Sequence, residues 1–275
     1  MIKDIVVNLA TGSSRDPATA YAISVARMFD AQVAGVAMCY SSVILAAGME
    51  AVPADFVESL REESARVANE AIGRFKQSAA QAGFSAEAQM VETSVEGSQR
   101  TFGHIARTFD LAIVAQTDPE TTNATGLDAE AAMFESGRPV IVVPSIQKDG
   151  IKLGCIVVCW DGSRTAARAL ADAMPFLQRA KSIEVINVGD GRREAEQSLA
   201  AAGRHLARHG LNASTKALVA DRTGVANVIL SHAADRSADL IVMGGYGHSR
   251  LREFILGGVT RGILDTMTVP VLMSH

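Results

Sequence analysis

The chain has 275 residues, 48% of them apolar, only three cysteines and a net charge of −4. That length suits two domains with sizeable cores, the cysteine count excludes a disulfide-stapled scaffold, and no apolar run approaches the ~18 residues a membrane span needs. Residues 1–147 carry 10 Lys+Arg against 18 Asp+Glu, and residues 148–275 carry 16 against 12, giving −8 and +4. Neither half has the basic density interleaved with aromatics that a nucleic-acid surface requires.

Taken in chain order, Met1-Ile2-Lys3-Asp4 has no signal-peptide layout and leads straight into a strand, Ile5–Leu9, which predicts a cytoplasmic protein. Phe56, Leu60, Val67, Ala71 and Phe75 recur at helical spacing, with Glu58, Glu62 and Glu63 on the outer side. Strands follow at 110–115 and 139–142, and the polar stretch Ser145–Gly150 reads as a connector. Beyond it, Ile156–Trp160 is a buried-strand run ending in Asp161-Gly162-Ser163. Ile183–Val188 and Thr215–Val219 are further strands, and Ala195, Leu199, Ala202 and Leu206 mark a helix between them. The last strands are Leu240–Met243 and Val269–Met273.

These segments repeat. Ile5–Leu9 corresponds to Ile156–Trp160, Arg107–Val114 to Arg236–Met243, and Pro139–Val142 to Pro270–Met273. A duplicated domain explains the length, with copies at 1–147 and 148–275. Near-continuous apolar strands joined by helices predict an α/β class: two tandem doubly wound domains, each a five-stranded, mainly parallel sheet with helices on both faces. Ligands of such sheets sit beyond the strand C-termini, where the strand order switches.

The segment after Met243 carries the chemistry. Gly244 and Gly247 follow the strand, and nine residues later Gly257-Gly258 opens another apolar segment. Glycines admit close main-chain approach, and a helix start offers free N–H groups to an anion. Ser249, Arg250, Arg252, Thr260 and Arg261 crowd the same stretch with donors and positive charge. The spacing is neither that of a P-loop, which needs a lysine, nor of a dinucleotide fingerprint, which needs a third glycine. The alternative is plain turn chemistry between strand and helix.

Gly-x2-Gly-x9-Gly resembles the nucleotide loop of the universal stress protein family, in which a Ser or Thr follows the last glycine. Here that position is Gly258. The resemblance covers almost the entire chain and implies a tandem member whose paired domains join through their last strands, with homodimers also open. It implies binding of ATP or another adenine nucleotide, with any Mg2+ held through the phosphates. Residue by residue, Asp161 matches the acid near ribose and adenine, with a helix N-cap as its other reading. Val188 and Val219 would flank the base, or serve as packing. Gly244, Gly247, Gly257, Gly258, Val259 and Thr260 match the phosphate segment; Ser249 lies inside it and His248 takes a position that is often basic. Trp160 stacks on adenine or belongs to the core. The first copy departs: Gln116–Thr121 lacks the glycines, acids at Asp118, Glu120, Asp128, Glu130 and Glu135 oppose phosphate, and its first strand ends without an acid.

Metal and catalytic chemistry are not predicted. Cys39, Cys155 and Cys159 sit in apolar runs and read as free thiols, and His205 and His209, four apart on a helix, have no third ligand. The loop has no lysine and Gly-x-Ser-x-Gly is absent, so a regulatory nucleotide binder with an unknown protein partner leads. A nucleotide-free interaction scaffold and a slow ATPase are the alternatives.

Overall fold

The computed structural model describes residues 1–13, 15–40, 54–94, 97–117, 129–189, 191–220, 224–246 and 258–275. The chain divides into two compact units: residues 2–136 with 148–150, and residues 137–147 with 151–275 and Met1.

In the earlier unit, β1 (Asp4–Asn8), β2 (Gln32–Tyr40), β3 (Glu87–Thr93) and β4 (Leu111–Ala115) alternate with α1 (Pro17–Phe29), α2 (Ala54–Gln81), α3 (Ser98–Ala106) and α4 (Ala129–Ser136). The strands run parallel in the order β3-β2-β1-β4. The buried stretches Ile5–Val7 of β1 and Leu111–Val114 of β4 explain why those segments read as unbroken apolar runs. The periodic stripe on α2 is buried only in its second half, at Ala68, Ala71, Phe75 and Ala79; Phe56, expected inside, is 53% exposed, and Leu60 is exposed as well.

The later unit contains β5 (Val140–Val143), β6 (Cys155–Cys159), α5 (Arg164–Leu177), β7 (Ser182–Gly189), α6 (Arg193–Arg208), β8 (Ala213–Val219), α7 (Val225–Asp235), β9 (Leu240–Gly244), α8 (Val259–Thr266) and β10 (Val271–Ser274). Strands β8-β7-β6-β9-β10 are parallel, and β5 joins β10 antiparallel, pairing Val140 with Met273. Each sequence copy holds the expected five strands, β1–β5 and β6–β10, but the compact units divide them four and six. Contacts group β5 with the later unit because its main-chain partner is β10.

The repeated order around β1 and β6 comes with a repeated device. Asp110 Oδ2 accepts from Lys3 N at 2.7 Å and Asp4 N at 3.1 Å, and Asp239 Oδ2 accepts from Gly154 N at 2.7 Å and Cys155 N at 3.0 Å. In each unit a carboxylate ahead of the fourth strand of the repeat thus clamps the start of its first. In the later unit the switch in strand order falls between β6 and β9, so their C-terminal ends open a crevice.

Candidate functional site

A cavity of about 270 Å³ lies at that crevice. Its floor follows from strand register. Cys159 pairs with Ile186, and Ile241, two residues before Met243, pairs with Val157, two residues before Cys159. Side chains two apart share a sheet face, so Cys159, Ile186, Val188 and Met243 all point the same way. Val225 and Ile229, four apart on α7, close the apolar slot from above. Register also removes Val219. It pairs with Gly189 rather than Val188, which places it on the opposite face, 72% exposed.

The rim is polar and comes from the strand ends. Trp160 lines the cavity half-buried, its indole N–H donating to Ser198 Oγ on α6 at 2.9 Å and its carbonyl accepting from Asn187 Nδ2 at 2.8 Å. These two bonds fix the ring at the slot's edge. Asp161 follows, exposed, with Oδ1 accepting from Ser163 N at 2.8 Å. The N-cap of α5 is Ser163, whose hydroxyl accepts from Ala166 N at 3.1 Å, so Asp161 is not the cap. Its carboxylate is oriented at the cavity edge by an Asx turn.

Gly244 ends β9 for a packing reason. A Cβ there would stand 2.4 Å from Ala166 N and 2.5 Å from Thr165 C, so only glycine lets the first turn of α5 settle on the strand. Tyr246, two residues on, adopts φ +53°, the left-handed region that non-glycine residues rarely occupy. The residue before it is fixed by two bonds: Gly245 N donates to Ser274 O at 2.9 Å, and His275 Nδ1 donates to Gly245 O at 3.0 Å. Across the mouth, α8 begins at Gly258, with φ −52° and ψ 157°. As N-cap, Gly258 brings no side chain to the first-turn N–H groups. Thr260, in that first turn, is buried, and its hydroxyl lies 3.4 Å from Tyr246 N.

Burial, and next the negative charge of Asp161, push the Cys159 thiol up to about 12, so the sulfur facing the cavity stays protonated and non-nucleophilic at neutral pH. Farther down the same sheet face, under α7, lies a cluster that the sequence reading missed. Glu184, two residues before Ile186, and His232, three after Ile229, are each 7% exposed, with Oε2 and Nε2 2.7 Å apart; Arg236 Nε reaches the same oxygen at 3.3 Å. A glutamate inside the apolar run of β7 was its one local sign, since a buried carboxylate demands a partner. His205 and His209 pack edge to face on α6, and the described residues contain no group of three His, Cys, Asp or Glu able to hold a metal.

Of the residues expected at a nucleotide site, Asp161, Val188, Gly244, Val259 and Thr260 line this one cavity, and Gly258 caps the helix beside it. Gly247, His248, Ser249 and Gly257 lie outside the described residues, as do Asp118, Glu120 and Asp128 of the first copy. No helix among the described residues is long and apolar enough to cross a membrane.

Residues 154–275, the segment that builds this cavity, match the Universal stress protein family. Universal stress protein Slr1230 of Synechocystis sp. is 25% identical over 170 residues. That match takes in 60% of this chain and 57% of the relative, so the chain spans little more than half of that protein's length. Among solved structures, a universal stress protein from Archaeoglobus fulgidus DSM 4304 aligns with 98% of this chain and 95% of its own, at a TM-score of 0.73 and 17% identity. A functionally unknown protein, PA1789 from Pseudomonas aeruginosa PAO1, aligns with 99% and 92% at a TM-score of 0.63 and 15% identity. The whole chain thus has the α/β fold of universal stress protein structures, and the family match itself falls on the later unit.

Proposed function

We propose that the later unit binds an adenine nucleotide and that the protein acts as a regulatory binder, with occupancy setting its stability or choice of partner. The observation that carries this reading is the composition of the cavity: a narrow apolar slot, a carboxylate at one rim and an uncapped helix start at the other. A purine fits between the floor and α7, a ribose hydroxyl donates to Asp161, and a phosphate is attracted to the N-terminus of α8. The slot is sized for a nucleoside, with the phosphates directed outward past Gly258 and Thr260. Any Mg2+ would be carried on those phosphates. The protonated thiol of Cys159 favours binding over covalent catalysis.

Trp160 is the sole tryptophan and lines the cavity, so its emission reports occupancy. Titration with ATP should give a saturable change that Asp161→Ala weakens about tenfold, the size of one charge-assisted hydrogen bond. Gly258→Ser should tighten ATP binding, because φ −52° accepts any residue and the hydroxyl adds a donor at the helix start. Absence of both an emission change and a thermal shift with ATP, AMP and adenosine would overturn the reading in favour of a nucleotide-free scaffold.

A further inference from the structure

A second cavity, about 370 Å³, opens on the other side of Tyr246 and is lined by Arg164, Thr165, Arg168, Tyr246 and His275. Arg164 and Arg168 are four apart at the start of α5, so both guanidinium groups rise from one helix face. The first turn of α5 contains no acid. Arg168 Nε is tied to Asp172 Oδ2 at 2.8 Å, which orients the group and leaves it further donors; Arg164 makes no ion pair among the described residues. Two arginines therefore face a cavity with one carboxylate between them and the helix beyond.

Two further features lie beside this cavity, although Ser274 is not among the residues that line it. The missing Cβ of Gly244 points at the first turn of α5, and Ser274 is its register partner, so Ser274 lies on the sheet face that α5 covers. Its hydroxyl is buried, the residue 2% exposed, and it has no hydrogen-bond partner. The left-handed conformation of Tyr246, pinned through Gly245 by Ser274 and His275, holds its side chain as the wall between the two cavities. A residue kept in a rarely populated conformation beside a doubly hydrogen-bonded neighbour is a feature that recurs at ligand clamps.

We infer that Arg164, Arg168 and Thr165, backed by Tyr246 and His275, form an anion site for a phosphate or pyrophosphate group, separate from the apolar slot. Paired guanidinium groups match the oxygens of a tetrahedral anion, and the N-terminus of α5 adds to the attraction. The site does not depend on what the apolar slot binds. The anion is either free or, should the tail of a slot-bound molecule turn past Tyr246 instead of past Gly258, the phosphate end of that molecule, and both share this chemistry.

Pyrophosphate is the probe, added to the full chain and followed by calorimetry and by the arginine Nε–H signals in NMR. The expected result is saturable binding with shifts at Arg164 and Arg168, weakened about tenfold by Arg164→Gln and by Arg168→Gln, and unchanged by Arg192→Gln at the exposed start of α6. Unaltered Trp160 emission confirms that the variants are folded. Competition between pyrophosphate and ATP, with adenosine binding alongside pyrophosphate, assigns the anion to a nucleotide tail. Simultaneous binding of ATP and pyrophosphate assigns it to a free anion. No binding at millimolar pyrophosphate, or equal binding by the Arg164→Gln/Arg168→Gln double variant, overturns the inference.

Discussion

Replacing Gly244 by alanine asks directly whether this glycine serves packing or ligand. The new methyl would lie 2.4 Å from Ala166 N, 2.5 Å from Thr165 C and 2.6 Å from Thr165 Oγ1, where ordinary contacts begin at 3.4 Å. The hydroxyl can rotate away, but the two main-chain atoms cannot. They belong to a helix start anchored by the Ser163 cap. Either α5 or the end of β9 must then move by about 1 Å, and overpacking of that kind costs about 1–3 kcal/mol. The upper end applies because the obstacle is backbone, offset by about 0.4–1 kcal/mol from the stiffer unfolded chain. The net of about 2 kcal/mol corresponds to a fall in Tm of roughly 4–8 °C. Urea denaturation followed by Trp160 emission measures it, with Gly262→Ala as comparison. A Cβ at Gly262 meets only Ala226 Cβ, at 3.1 Å, and gains helix propensity, so that variant should stay within about 1 kcal/mol of the parent. If Gly244→Ala were within about 0.5 kcal/mol of the parent, the packing account of this glycine would be wrong.

Other expectations test register, burial and charge. Val188→Asp should abolish the ATP-dependent emission change, whereas Val219→Asp, exposed on the other face, should leave affinity intact and stability within about 0.5 kcal/mol. Glu184→Ala leaves the buried His232 without its partner, beside a half-exposed Arg236, and should cost about 1–3 kcal/mol by chemical denaturation; a loss under about 0.5 kcal/mol would show that the cluster is not a unit. For Cys159, the folded thiol holds its proton up to about 12, above its ordinary value of 9.0. Its contribution to stability is therefore fully present below pH 9 and is lost as pH rises towards 12, a decline that Cys159→Ala should lessen in alkaline unfolding curves. Alkylation of native Cys159 at pH 8.5 as fast as in urea would contradict that shift.

The position of the cavity was legible because a parallel sheet brings the C-terminal ends of its strands to one edge. Asp161, Val188 and Gly244 end separate strands, so their meeting followed from topology before any side chain was placed. What each does there was less legible. Asp161 and Ser163 are both good caps, and only helix geometry decides that Ser163 takes the role. Val188 and Val219 look equivalent in sequence, but a one-residue difference in register reverses the face. Gly244 carries a motif signal, while its steric reason lies in a helix start some 80 residues earlier. The Glu184–His232 pair spans 48 residues and has no local periodicity to announce it. The exposed first half of α2 shows the converse: Phe56 and Leu60 keep helical spacing without being covered among the described residues.

The two units differ at one position in a way that bears on the proposed one-sided site. Leu9 N donates to Val36 O at 2.9 Å as Trp160 N donates to Ile186 O at 2.8 Å, which makes Leu9 and Trp160 equivalent, and hence Ala10 and Asp161. In the later unit that next residue offers a carboxylate at a cavity edge. In the earlier unit its main chain is fully engaged: Ala10 N donates to Asp16 Oδ2 at 3.0 Å, and Ala10 O accepts from Arg74 Nη2 at 3.2 Å. Asp16 also caps α1 through Thr19 N at 3.0 Å, and Arg74 reaches Ser13 O at 2.9 Å. An acid and an arginine inside the earlier unit thus knot the loop whose counterpart faces the cavity in the later one. Building the proposed ribose acceptor into the earlier unit takes more than Ala10→Asp. The new carboxylate would sit beside the carboxylate of Asp16 and within reach of Arg74, and an ion pair to that arginine would compete with any ligand.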